Sequence, residues 1–517
     1  MSETGVAAQE RPQQYDVVVV GAGNAAMCAA LAAHESGARV LVLERAPEAE
    51  AGGNSRFTAG AIRFAYDGVD DLRALMPDLT DAEVAVTDFG TYTEEQFYAD
   101  LGRISDYRCD PELADTLVTR SKDTLMWMAS HGVRFAPIWG RQAFKVDGRF
   151  TFWGGLTVES VGGGEGLVES LRAALDRNRI DLWHEAAGRS LLTDDAGSVC
   201  GIRVRLHDAG GRAAARAAAA RMVDVQADAV VLAAGGFQAN AEWRTRYLGP
   251  GWDLAKVRGT RFNTGDGINM ALEAGAMPYG NWSGAHAVAW DYNAPEFGDL
   301  AVGDGFQKHS YPFAIVLNAD GRRFVDEGAD FRNYTYARYG REILAQPGHS
   351  AWQVFDASTE HLLRDEYRIR QVTKVTADSI EELCSRMDGV HTEQALATIS
   401  EFNAAVDRSV GFDPNVLDGR RTRGLSPDKT NWAMPIETPP FAAYHVTCGL
   451  TFTFGGLRID ETGCVMDTDL RPIKGLYAAG ELVGGLFYGN YPGGSGLSAG
   501  AVFGRLAGAS AAAHATG

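Results

Sequence analysis

The sequence predicts an α/β protein in which a domain built on a buried parallel sheet is interrupted by a smaller α+β domain. Three observations predict it. First, YDVVVV (15–20), the Ala-rich run that opens at GAGN, and ARVLVLERA read as strand, helix, strand, with both strands buried. Second, from about residue 285 to 430 that rhythm is lost, aromatic and charged residues interleave, and helices such as SIEELCSRM and EQALATISEFNAAV stand apart. Third, a glycine-rich pattern returns near residue 449 and runs into a final Ala-rich helix, so the first domain resumes. The class is therefore a Rossmann-like dinucleotide-binding domain interrupted by an α+β cap. The expected division is a disordered lead-in (1–13), the first part of the nucleotide-binding domain (14–280), the cap (281–445) and the second part (446–517).

Each element has its own signal. The first helix should stop at Gly37. Residues 70–135 read as helical, through DAEVAVTDFGTYTEEQFYADL and PELADTLVTRSKDTLMWMASHG, and GEGLVESLRAALDRN reads as another helix. A β-rich stretch is expected from about 181 to 206, and the Ala/Arg-rich residues 210–222 read as an exposed turn or insertion. VQADAVVLAAGGF reads as a buried strand leading into a second glycine turn.

Composition narrows the function. A chain of 517 residues exceeds one simple core. A formal net charge of −19 argues against nucleic-acid binding, yet a local Arg cluster could still hold a small anionic substrate. Six scattered cysteines without a C-x-x-C pair suggest neither disulfide framework, zinc site nor iron–sulfur cluster, and fit a reducing, cytoplasmic compartment. No apolar run is long enough for an integral membrane segment, and the polar start MSETGVAAQERPQQ lacks a signal-peptide core. No metal site is expected.

The glycine motifs point to a cofactor. Gly21, Gly23 and Ala26 form G-x-G-x-x-A at a strand-to-helix turn, with Asn24 and Ala25 inside it. Gly21 permits the tight turn, Gly23 lets backbone approach a pyrophosphate, and the helix N-terminus faces the phosphates. Glu44 ends the second strand, correctly spaced for a ribose diol, with Arg45 next to it. A second loop, Gly52-Gly53-Asn54-Ser55 followed by Ala59-Gly60, is unnecessary for NAD alone; a flavin needs it, because its ribityl and ring portions run past the pyrophosphate. Ala234-Gly235 and the N-T-G-D-G turn with Asp266 add further contacts. Glu481, delivered by GLYAAGE, could hold a ribityl hydroxyl. Tyr491-Pro-Gly-Gly-Ser495-Gly496-Leu497 opens the last helix, whose N-terminus could stabilise charge on a reduced flavin. The cofactor expected is FAD. The blander reading of each loop alone is a structural turn.

Together these motifs resemble the fumarate reductase/succinate dehydrogenase flavoprotein superfamily, including its 3-ketosteroid dehydrogenases, over nearly the whole chain from Tyr15. GGNSR, NADGRRFVDEGADFRNYTYARYG, CGLTFTFGGLRID and GGLFYGNYPGGSGL are most similar to the tricarballylate dehydrogenases. The resemblance implies a cap closing over the substrate and an Arg after G-x-R-F-x-x-E as the proton-transfer group. Here that Arg is Arg332, one residue further on than the fumarate reductases place it. It also implies a substrate-binding His, matched by His286. Two departures count against fumarate: Thr451-Phe452-Thr453-Phe454 replaces His-His-Thr-Met, and Tyr491 stands where an Arg is expected. Tyr491 instead resembles the catalytic Tyr of the ketosteroid enzymes. No His lies between His34 and His131, so the FAD is expected to be noncovalent.

The reaction implied is C=C formation in a tricarballylate-like polycarboxylate, by hydride transfer to flavin N5 and proton abstraction by Arg332 or Tyr491. Ketosteroid-like or other enone formation, fumarate-reductase-like reduction and a non-catalytic flavoprotein remain as alternatives. Electrons would leave to a separate acceptor, whether protein, quinone or oxygen.

Overall fold

The computed structural model describes residues 13–206 and 221–517. The expected lead-in, up to residue 12, lies outside them, as does most of the Ala/Arg-rich segment. Arg221 and Met222, placed there by the sequence, belong instead to the strand Arg221–Leu232 and pair with Leu206 and Arg205. The reason is period-two burial: Val223, Val225 and Ala227 face inward and extend the strand backward.

The first strand, Gln14–Val20, runs parallel to Val40–Leu43 on one side and to Arg221–Leu232 on the other. Asp181–Trp183 extends the sheet beyond Val40–Leu43, and Pro472–Ala478 lies parallel to Val230–Leu232. Val17, Val18 and Val19 are wholly buried, which is why these strands are continuous apolar runs rather than alternating ones. The early half of Arg221–Leu232 leaves this parallel centre and forms an antiparallel extension with Val199–Leu206 and Ala186–Thr193. The chain thus returns to the sheet, at Cys464–Met466, about 230 residues after leaving it at Leu232, and its final helix, Ser495–Thr516, packs on the first helix, Asn24–Glu35. Gly504 and Gly508 make that contact possible: a Cβ on either would lie 2.4 or 2.0 Å from the carbonyl oxygens of Ala25 and Ala29.

A second sheet is organised around one long strand, Phe441–Leu457. It pairs with Lys256–Val257, Pro278–Asp291, Ser350–Phe355 and Lys374–Ala377, and Ile315–Leu317 continues the sheet from Ser350–Phe355. This strand crosses the expected 445/446 division without a break. The pairing with Pro278–Asp291 slips in register between His286 and Ala287, so His286, opposite Phe452, sits at a bulge.

One helical expectation is corrected. Residues 81–101 are not one helix: Asp81–Ala85 and Glu94–Ile104 are separated by the short strand Thr87–Asp88. Thr80 and Thr93 each close a capping box with Glu83 and Gln96, and Gly90 turns the chain between them at φ +59°.

Candidate active site

One cavity lies between the two sheets, and all the expected site residues line it except Gly52, Gly60 and Ser495. Those three shape the walls. Gly52 and Gly60 adopt left-handed backbone against Val168 and Ser160, and Ser495 is fully buried at the start of the final helix.

At one end, Gly21 has φ +110°, and a Cβ there would lie 2.4 Å from the Ala233 carbonyl oxygen of the adjacent strand. Gly23 caps the first helix without a side-chain acceptor, and the first turn carries no acid. The positive end of that helix therefore meets the cavity with no acid in its first turn, which suits a pyrophosphate. The Asn24 amide N–H donates to Ser55 Oγ (3.0 Å), and Asn24 Nδ2 donates to the Leu497 carbonyl (2.8 Å). The first helix, the second loop and the final helix are thereby joined around one point. Glu44 is buried; burial raises its carboxyl above the usual range, opposed by N–H groups of Ala22 (3.0 Å) and Ala46 (2.7 Å). Arg45 is paired with Asp266 at 2.5 Å and also donates to Thr264 Oγ1. These features fit the adenosine and pyrophosphate of FAD.

Midway, Glu481 accepts from the Thr453 N–H (2.9 Å), Gln238 Nε2 (3.2 Å) and Asn263 Nδ2 (3.3 Å). Burial nevertheless pushes its carboxyl up to about 7.

The far end is cationic and aromatic. Arg332 begins the helix Arg332–Leu344, only 7% exposed. Its Nη1 meets His309 Nδ1 at 3.2 Å, its Nη2 donates to the Arg141 carbonyl at 3.3 Å, and its Nε has no partner. It makes no ion pair with any described residue. Burial lowers its proton affinity, and Arg141 adds to that effect against the opposing pull of Tyr336. Arg258 and Arg141, by contrast, are both held by Asp304, at 2.5 and 2.9 Å.

His286 sits in an aromatic box, its ring centroid 4.9 Å from Tyr336, 5.2 Å from Phe452 and 4.8 Å from Tyr491. Neither of its nitrogens has a partner, and burial holds it well below its ordinary pKa, so it is neutral. Tyr491 and Tyr336 share a hydroxyl–hydroxyl hydrogen bond of 2.6 Å, and burial raises the Tyr491 phenol well above its usual range.

Arg332, Tyr491 and His286 are thus brought into one wall of the cavity. The sequence reading missed Tyr336, Arg141, Gln142, Arg258, Asp304 and His309. Tyr336 had a signal, since it lies one helical turn beyond Arg332 on the same helix. The others come from short helical turns and connecting segments with no motif.

Comparison with known proteins agrees with this geometry. The FAD binding domain family matches residues 16–497. The chain is 31% identical over 502 residues to a fumarate reductase (cytochrome) of Shewanella frigidimarina, covering 96% of this chain and 77% of that one. It is 27% identical over 598 residues to a 3-oxosteroid 1-dehydrogenase of Mycolicibacterium smegmatis, covering 96% of each. The open conformation of a flavocytochrome c3 fumarate reductase superposes with a TM-score of 0.70 at 26% identity, over 98% of this chain and 79% of that one. The chain therefore belongs to the FAD binding domain family, within the fumarate reductase/succinate dehydrogenase flavoprotein superfamily, and is an FAD-dependent oxidoreductase acting on CH–CH groups.

Proposed function

We propose that this enzyme is a dehydrogenase that forms a C=C bond in a small, tricarballylate-like polycarboxylate. The observation that carries the reading is Arg332. A buried guanidinium without a carboxylate is costly, and an anionic substrate removes that cost. FAD supplies the hydride acceptor at N5. The chain's own residues bind the carboxylate, exclude water and move the proton from the neighbouring carbon. Arg332 is the first choice for the proton: burial and Arg141 favour its neutral guanidine, which accepts the proton from carbon and becomes the guanidinium that pairs with the carboxylate, whereas the buried Tyr491 phenol ionises less readily than a free one. Neutral His286 orients a second substrate oxygen.

Noncovalent FAD is part of the proposal, supported by His286 being the only histidine lining the cavity among the described residues. Electrons leave to a separate protein, quinone or oxygen. All six cysteines are free thiols, which supports a reducing, cytoplasmic setting; no helix among the described residues is long and apolar enough to cross a membrane.

A second reading is favoured by the aromatic box and the Tyr336–Tyr491 pair: an enone-forming dehydrogenase of a less charged, ring-shaped substrate. An anaerobic screen of flavin bleaching decides between them. Tricarballylate should bleach the flavin; bleaching by 3-ketosteroids alone would transfer the assignment. Acid precipitation should release free FAD, and flavin retained in the pellet would overturn the noncovalent reading.

A further inference from the structure

Gln142 ends the short helix Trp139–Gln142, lines the cavity and is completely buried, yet neither its Oε1 nor its Nε2 has a hydrogen-bond partner. Its backbone is fixed, with the amide N–H donating to the Ile138 carbonyl at 3.2 Å. The preceding carbonyl, of Arg141, is the one that accepts from Arg332, so the Gln142 amide belongs to the turn that also anchors the Arg332 guanidinium. Buried amides are almost always satisfied, and one orphaned at both ends weakens the fold. Its natural complement is a group with one donor and one acceptor. A carboxylate is not such a group: it would accept from Nε2 but be repelled by Oε1. Of the guanidinium groups that line this end of the cavity beside Arg332, Arg141 and Arg258 are both committed to Asp304.

We propose that Gln142 is a specificity-determining residue whose amide binds a neutral donor–acceptor group of the substrate, a protonated carboxyl or a carboxamide, while Arg332 holds a carboxylate. This rests on the reading of a carboxylate substrate above.

Two measurements on the FAD-loaded enzyme test it. In the first, Gln142→Met replaces both orphaned atoms by an apolar chain of similar length. Without substrate its melting temperature should rise by a few degrees at unchanged flavin content. A fall in melting temperature would mean that the amide serves the fold, and a loss of flavin would mean that it serves FAD; either overturns the proposal. In the second, succinate and its half-amide succinamate are titrated against the flavin spectrum at pH 8. The wild type should bind succinamate about tenfold more tightly, about the worth of one hydrogen bond, and Gln142→Met should lose the difference. Equal binding, or a preference for succinate, overturns the proposal even where the variant does not fold. If neither probe perturbs the spectrum, the carboxylate reading fails, and the melting temperature still decides whether Gln142 is held for a ligand.

Discussion

Replacing Arg332 by Lys keeps a positive charge but loses the planar fork that reaches His309 and the Arg141 carbonyl. If Arg332 moves the proton, Arg332→Lys should lower turnover at saturating substrate at least a hundredfold, on the order of general acid–base effects. Tyr491→Phe removes only the hydroxyl shared with Tyr336 and should retain much of the turnover. The opposite ranking, read from single-turnover flavin reduction, would give the base role to Tyr491. Glu481 permits a second test. Its folded pKa of about 7 lies above its value in the unfolded chain, so the stability it contributes is present below about 4.5 and is lost as pH rises through 7. Glu481→Gln should abolish that loss, which is worth roughly 3 kcal/mol. Melting of the flavin-free variant relative to wild type from pH 4.5 to 8 measures it, and parallel curves would refute it. Glu481 and Tyr491 were legible because each sits in a glycine motif, and Arg332 because it follows G-x-R-F-x-x-E, though one residue further on than the resemblance places it. Asp304 and Arg258 were not, since an ion pair between loops 46 residues apart leaves no pattern in the sequence.

The strand–turn–helix at Gln14–Glu35 was readable because one short segment carries both the apolar run and the glycine spacing, and neither depends on distant packing. Its two glycines nevertheless do different things. A Cβ on Gly21 would collide with backbone of the adjacent strand at a φ that L-residues avoid. One on Gly23 would meet nothing closer than Ser55 Oγ at 3.4 Å, with φ −82°. Gly21→Ala should therefore cost several kcal/mol of stability, about that of a severe backbone clash. Gly23→Ala should leave the melting temperature of the flavin-free protein nearly unchanged while weakening FAD binding. Calorimetry of the flavin-free forms and flavin titration separate the two, and equal losses in both would show that Gly23 is only structural. The segment 81–101 was misread for the opposite reason. Its apolar residues allow a continuous helix, and the strand Thr87–Asp88, the turn at Gly90 and the capping box at Thr93 divide it. At the final helix, glycines at 500, 504 and 508 recur every fourth residue, a helical stripe that identifies the face lying against Ala25 and Ala29.

Across the whole molecule, the cavity depends on two sheets contributed by distant parts of the chain, and nothing in the sequence fixes how closely they approach. Beside the sheets, one set of contacts converges on a single carbonyl. Gly154 accepts from Arg63 Nη1 (2.6 Å), Asn333 Nδ2 (2.9 Å) and the Tyr334 hydroxyl (2.9 Å). Arg63 also donates to the Gly493 carbonyl at 2.8 Å, and Asn490 Nδ2 donates to the Tyr334 carbonyl at 2.7 Å. This knot joins the residues next to Arg332 to the turn that carries Tyr491, so it sets the separation of the two groups on which the proposed chemistry depends. If residues 281–445 act as a cap that closes on substrate, loosening the knot should impair substrate positioning before it impairs the fold. Tyr334→Phe removes the hydroxyl that bonds both Gly154 and Asp100. It should raise KM by up to about tenfold, as the loss of one or two buried hydrogen bonds does, with flavin content unchanged. Limited proteolysis tests the motion itself: tricarballylate should slow cleavage in the exposed loops of residues 281–445 in the wild type, and protect Tyr334→Phe less. Identical cleavage rates of the wild type with and without substrate would mean that the cap does not close, and Arg332 and Tyr491 would then have to act from the positions they already hold.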